Sequence, residues 1–158
     1  MKRYNVLFLP ILLLLKSGCN QTSSDLKNKP ETTENCYISL YKQDTAHLNL
    51  NFKYTEVTGK LRISYADGKT YDGVLKGRSK GDTLLLDYDF KISRNDQWYR
   101  NPLAILKRGD SLILGDGKID VRWGTGVFDK NVPINYEDAK FVFRRNDCKT
   151  AFEVVSPN

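Results

Sequence analysis

Gly81-Asp82-Thr83-Leu84-Leu85-Leu86-Asp87-Tyr88-Asp89-Phe90 decides the fold class. A turn pair opens it, and Leu84, Leu86, Tyr88 and Phe90 then alternate with Leu85, Asp87 and Asp89. Side chains of an extended chain point to opposite faces with a period of two, so this run predicts a strand with one apolar face. The same period recurs on either side. Ala46, Leu48, Leu50 and Phe52 alternate with His47, Asn49, Asn51 and Lys53; Leu61, Ile63 and Tyr65 alternate with Lys60, Arg62 and Ser64. Asp67-Gly68 between two such runs is a hairpin signal, and Asn95-Asp96, Gly109-Asp110 and Gly115-Asp116-Gly117 mark further turns.

More strands are expected near 36–42, 70–78, 98–107, 111–115, 118–123 and 139–145. No stretch of 12 residues carries a helical apolar stripe. Residues 124–138 are the irregular part, a place for a short helix or a crossing loop. Eight or nine short strands joined by tight turns predict an all-β antiparallel meander. Its edges must be hidden by closing or stacking. An up-and-down, lipocalin-like barrel of about eight strands is expected, because short turns make sequential strands neighbours. A two-sheet β-sandwich is the alternative.

Before this domain the composition is different. Lys2 and Arg3 precede an apolar run from Val6 to Leu15 that is broken only by Pro10. This predicts a cleaved signal peptide over residues 1–18, with an h-region too short to span a bilayer. Leu15-Lys16-Ser17-Gly18-Cys19 resembles the lipobox of bacterial lipoproteins, with Lys16 where that pattern has an apolar residue. The resemblance implies a diacylated Cys19 as the mature N-terminus. Residues 19–35 are polar and lack aromatics, which predicts a disordered tether with an average reach of about 20 Å. Residues 36–150 form the expected barrel domain, and 151–158 a C-terminal tail. The expected address is the cell envelope, lipid-anchored at the periplasmic face or the cell surface.

Three of the 25 basic residues precede Cys19, so 22 remain against 19 acidic residues, a net charge of +3. They are interspersed, and no basic run is interleaved with aromatics, so nucleic acid is not an expected partner. Of the three cysteines, lipid on Cys19 would leave Cys36 and Cys148 as a pair at the first and last strands. A bridge there would clip the chain ends of a closed barrel. With a single histidine and no CxxC, no metal site and no cofactor are expected.

The chain resembles a group of uncharacterised bacterial cell-envelope lipoproteins with a small β-barrel domain, and lipocalin-like envelope barrels by loose analogy. The resemblance rests on Val57 to Leu61, Gly73 to Gly77, Lys80 to Leu84 and Asp87 to Phe90, with Cys36-Tyr37, Asp44-Thr45 and Cys148. It covers about residues 36–148 and departs at Ala66 to Lys69. It implies a fold and an address, and no mechanism.

Individual candidates read mostly as structure. His47 falls on a polar strand face, expected to be solvated, with no nucleophile or orienting acid identifiable. Gly68-Lys69-Thr70 lacks the earlier glycine and the helix of a P-loop. Gly73, Gly77 and Gly81, four apart, are expected on one strand face at a barrel corner. Asp110, Asp116 and Asp120 do not have EF-hand spacing. Phe52, Tyr65, Tyr71, Tyr88 and Phe90, with Phe141 and Phe143, alternate toward one face, and Trp123 lies beside the irregular segment. The first five and Trp123 are the candidate pocket residues. The expected function is a non-enzymatic binding or interaction module for a small apolar or amphipathic ligand. The alternatives are an inhibitor-like lipoprotein that engages another envelope protein through a loop near 124–138, or a hydrolase whose carboxylates are brought together by folding.

Overall fold

The computed structural model describes residues 34–148. The expected signal peptide, Cys19, most of the expected tether and the expected tail 151–158 lie outside the described residues. The described residues form ten strands: β1 (Glu34–Tyr41), β2 (Asp44–Lys53), β3 (Glu56–Ser64), β4 (Thr70–Lys80), β5 (Thr83–Ile92), β6 (Trp98–Arg108), β7 (Ser111–Leu114), β8 (Ile119–Arg122), β9 (Thr125–Phe128) and β10 (Val142–Asn146). Eight of them close a barrel in the order β1-β10-β7-β6-β5-β4-β3-β2, and β8 and β9 form a separate two-stranded sheet. The barrel is the expected meander, with one hairpin inserted before the closing strand; the sandwich alternative is set aside.

The register explains the alternation. Tyr37 pairs with Leu48, Leu48 with Leu61, Leu61 with Gly73, Gly73 with Phe90 and Phe90 with Tyr99, so one row of side chains points inward around the barrel. Leu48, Leu50, Val57, Leu61, Leu84, Ile105 and Phe143 are fully buried there. Each such side chain contributes roughly 1.5–3 kcal/mol by leaving water. The middle of the barrel is therefore a filled core.

Gly73 and Gly77 face inward opposite Phe90 and Leu86. A Cβ on Gly73 would lie 2.6 Å from the Phe90 Cα, and one on Gly77 would lie 2.8 Å from the Leu86 Cα. The sheet folds on itself here, and only glycine permits that approach. Gly81 does not share this face. It lies in the β4–β5 turn with φ +59°, because the ladder ends at the Lys80–Thr83 pair.

Three other expectations are corrected. Glu34 and Asn35 belong to β1 rather than to the tether, since the long β2 offers Asn51 and Leu50 as partners. Residues 124–138 contain β9 and no helix, and Trp123 is a turn residue rather than the end of a strand. The polar outer face of β2 is not uniformly solvated. Cys36 and Cys148 form a disulfide with Cα atoms 5.1 Å apart. Asn49 is buried beneath it, donating a hydrogen bond to the Cys36 Sγ at 3.3 Å.

The segment after the hairpin returns along the outside of the barrel. Asp116 and Asn135 exchange backbone hydrogen bonds of 2.8 Å. Tyr136 hydrogen-bonds Thr83, and Glu137 pairs with Arg108 at 3.0 Å. Ile134 and Tyr136 of this crossing lie against Gly115, just past β7, and Ala104 and Ile113 are buried although the register puts them on the outer face.

Candidate functional site

The two ends of the barrel differ. Both ends of the described chain, the disulfide and the turns at 54–55, 81–82 and 109–110 lie at one end. At the other lie the turns at 42–43, 65–69 and 93–97, with the β8–β9 hairpin; its return segment runs along the barrel wall, from the pairs of Tyr136 with Thr83 and Glu137 with Arg108 to Lys140 at this end. At this second end, called the mouth, the inward rows carry aromatics instead of leucines.

A cleft of about 350 Å³ opens there. Its inner wall is built by Tyr65 just after β3, Tyr71 on β4, Tyr88 and Phe90 on β5, Leu103 on β6 and Phe141 just before β10. The rings form a continuous shelf. Tyr65 meets Tyr71 edge-on at 5.0 Å between centroids, Tyr71 stacks on Phe90 at 5.3 Å, and Phe90 stacks on Tyr88 at 4.6 Å and on Tyr99 at 5.6 Å. Offset stacks and edge contacts are the favoured arrangements of aromatic quadrupoles, and they make the shelf rigid. The Tyr88 hydroxyl donates to the Leu61 carbonyl at 3.0 Å. Burial pushes the Tyr88 and Tyr65 phenols up from their ordinary value, so both stay neutral at physiological pH.

The outer rim is polar. Asn101, Asp116, Asp138 and Lys140 line it, with Ile119 of the hairpin as its apolar member. The Lys140 ammonium lies 2.6 Å from Asp44. It also sits over the rings of Tyr65 at 4.9 Å, Phe141 at 5.3 Å and Tyr41 at 5.4 Å. The hydrogen bond to Asp44 raises the Lys140 pKa, and the same bond lowers that of Asp44. Both remain charged near neutrality, and Lys140 is held by its own chain as a caged cation.

Tyr65, Tyr71, Tyr88 and Phe90 are thus brought together. Phe52 and Trp123 are not. Phe52 lies at the opposite end, under the Lys107 ammonium at 4.9 Å, because β2 carries it past the core toward the β2–β3 turn. There it borders a second depression with Tyr37, Leu112 and Arg145. Trp123 is fully exposed at 103% on the β8–β9 turn, and it is not among the residues that line the cleft. Its register explains this: the strand ends at the Arg122–Thr125 pair, leaving Trp123 and Gly124 as the loop. Asp110 lies in the β6–β7 turn at the far end from Asp116, so the three spaced aspartates do not converge. Among the described residues, no group of three or more His, Cys, Asp or Glu is arranged to hold a metal.

His47 lies half-buried on the outer face, opposite Ile38 and Arg62. Burial first, and then the Arg62 charge, hold its pKa below the ordinary value of 6.5. Sequence reading missed Lys140, Asn101 and Asp138 as mouth residues. Only the Lys140-Phe141 adjacency before a strand hinted at a cation beside the inward aromatic row. Comparison with protein-family models, with curated proteins and with solved structures finds no match to this chain.

Proposed function

We propose that this chain is a lipid-anchored protein of the bacterial cell envelope whose barrel binds a small apolar or amphipathic molecule at its mouth. The observation that carries the binding reading is the aromatic shelf: rigid apolar rings line a cleft of about 350 Å³ at the end of an otherwise filled barrel. Small-molecule sites are concave, mainly apolar and edged by a few polar groups, and the mouths of β-barrels are favoured places for them. The anchoring reading is supported by Lys2-Arg3, the apolar run and Ser17-Gly18-Cys19. The disulfide agrees with an oxidising compartment and leaves Cys19 as the odd cysteine. The described chain enters the barrel at the end away from the mouth, through β1.

Titration of the full chain carrying Cys19→Ser with the neutral dye Nile red tests the binding reading. Saturable one-to-one binding that is lost in Tyr71→Ala is expected. Non-saturable binding, or saturable binding unchanged in Tyr71→Ala, would refute it. Incorporation of labelled palmitate into the wild-type chain but not into Cys19→Ser tests the anchor; labelling of both would refute that.

A second reading, an inhibitor-like contact with another envelope protein, is favoured by Trp123. Its φ of 52° puts a bulky residue in the left-handed region, at the tip of an exposed hairpin. Strained, outward-held side chains concentrate at functional positions.

A further inference from the structure

We infer that the mouth selects ligands with a positively charged head, an amine or quaternary ammonium, over ligands with a carboxylate head. The inference rests on the reading of the mouth as a binding cleft. Lys140 is the only cation among the described residues lining the cleft, and a free ammonium there would favour an anion. Its charge, however, is already matched by Asp44 at 2.6 Å and shielded by three ring faces. Two further cations at this end are matched in the same way, Lys69 by Asp67 at 2.9 Å and Lys118 by Asp129 at 2.9 Å, while Lys42 and Arg94, which are in no ion pair among the described residues, do not line the cleft. Asp116 and Asp138 also line the cleft, and among the described residues neither is in an ion pair. Asp138 accepts one neutral hydrogen bond, from the Asn135 side chain at 3.2 Å.

The cleft therefore presents two uncompensated carboxylates beside a stack of π faces. Carboxylates and the negative faces of aromatic rings both attract ammonium groups, and both repel a carboxylate. Lys140 shows the chemistry within the protein itself: an ammonium against Tyr65 and Phe141 beside a carboxylate is a stable arrangement here. A ligand would lay its apolar part on the half-buried Tyr71 and Leu103 and direct its cationic head toward Asp116 and Asp138.

Three water-soluble probes of similar size separate the possibilities: phenethyltrimethylammonium, 3-phenylpropanol and 3-phenylpropionate. They are titrated calorimetrically into the full chain carrying Cys19→Ser, so that no acyl chain competes for the mouth. At near-physiological salt the cation should bind at least about tenfold more tightly than the anion, with the alcohol between. Asp116→Asn with Asp138→Asn should shrink the gap between cation and anion to about threefold or less. Equal or tighter binding of the anion would overturn the inference and leave the binding cleft standing. So would a cation preference that survives the double substitution. Saturable binding by none of the three would remove the cleft reading itself, and the inference with it.

Discussion

Replacing Cys36 and Cys148 together by alanine should cost this barrel much of its stability. The bridge spans a sequence separation of 112 residues. In the chain-entropy treatment, a closed loop of that length contributes about 4.8 kcal/mol at 25 °C by restricting the unfolded chain. The native state gives a second reason. The seam between β1 and β10 is held by only three residue pairs, Cys36–Asn146, Tyr37–Arg145 and Ile38–Arg144, whereas β4 and β5 pair continuously from Tyr71–Ile92 to Lys80–Thr83. The bridge closes the barrel at one of its two shortest ladders, the other being the three pairs between β10 and β7. Losing the Sγ acceptor beneath which Asn49 is buried adds about 1 kcal/mol. A total loss of about 3–6 kcal/mol follows, allowing for residual structure in the unfolded chain, against a usual domain stability of about 5–15 kcal/mol. Urea unfolding of the oxidised wild type and the double variant measures it. The unfolding midpoint should fall sharply, and the denaturant slope should rise because the uncrosslinked chain expands further on unfolding. A loss under about 1 kcal/mol with an unchanged slope would refute this account of the seam.

Gly73→Ala forces a methyl group against the β5 backbone, 2.6 Å from the Phe90 Cα, and should destabilise the fold by about 1–3 kcal/mol in chemical denaturation; a neutral result would contradict the tight corner. Trp123→Asn puts a residue suited to positive φ into the two-residue Trp123-Gly124 loop, and thermal melting should show a gain of about 1 kcal/mol, with a loss counting against the strain. His47, with its folded-state pKa below 6.5, contributes stability that is fully present above pH 6.5 and is lost as the pH falls below it. His47→Gln should therefore flatten the decline in stability on acidification from pH 6.5, and an unchanged profile would contradict the assignment.

The strands were legible because their signal is local. A period of two in Leu84 to Phe90 or Ala46 to Phe52 reports one buried face whatever the neighbours are, and glycine-aspartate pairs end the runs. Barrel closure followed from the short turns and from the cysteines at the first and last strands. The hairpin around Trp123 was not legible, because Trp-Gly lacks the Asn-Gly or Asp-Gly signature and β9 is only four residues long. Asn49 reads as solvated in sequence and is buried by a disulfide partner far along the chain. Alternation put Tyr65, Tyr71, Tyr88 and Phe90 on the inner face. It did not say which end of the barrel each would occupy, so Phe52 was grouped with them. The polar rim is the least legible part. Asn101, Asp116, Asp138 and Lys140 come from separate segments and meet only when the crossing segment docks on the barrel.

The most direct test of the binding account is chemical-shift mapping of the isotopically labelled full chain, carrying Cys19→Ser, during titration with phenethyltrimethylammonium. The account predicts saturable shifts confined to the mouth, at Tyr65, Tyr71, Phe90, Asp116, Ile119 and Phe141, with the opposite end silent. Shifts centred on Phe52, Lys107 and Arg145, or no saturable shifts at the mouth, would contradict it.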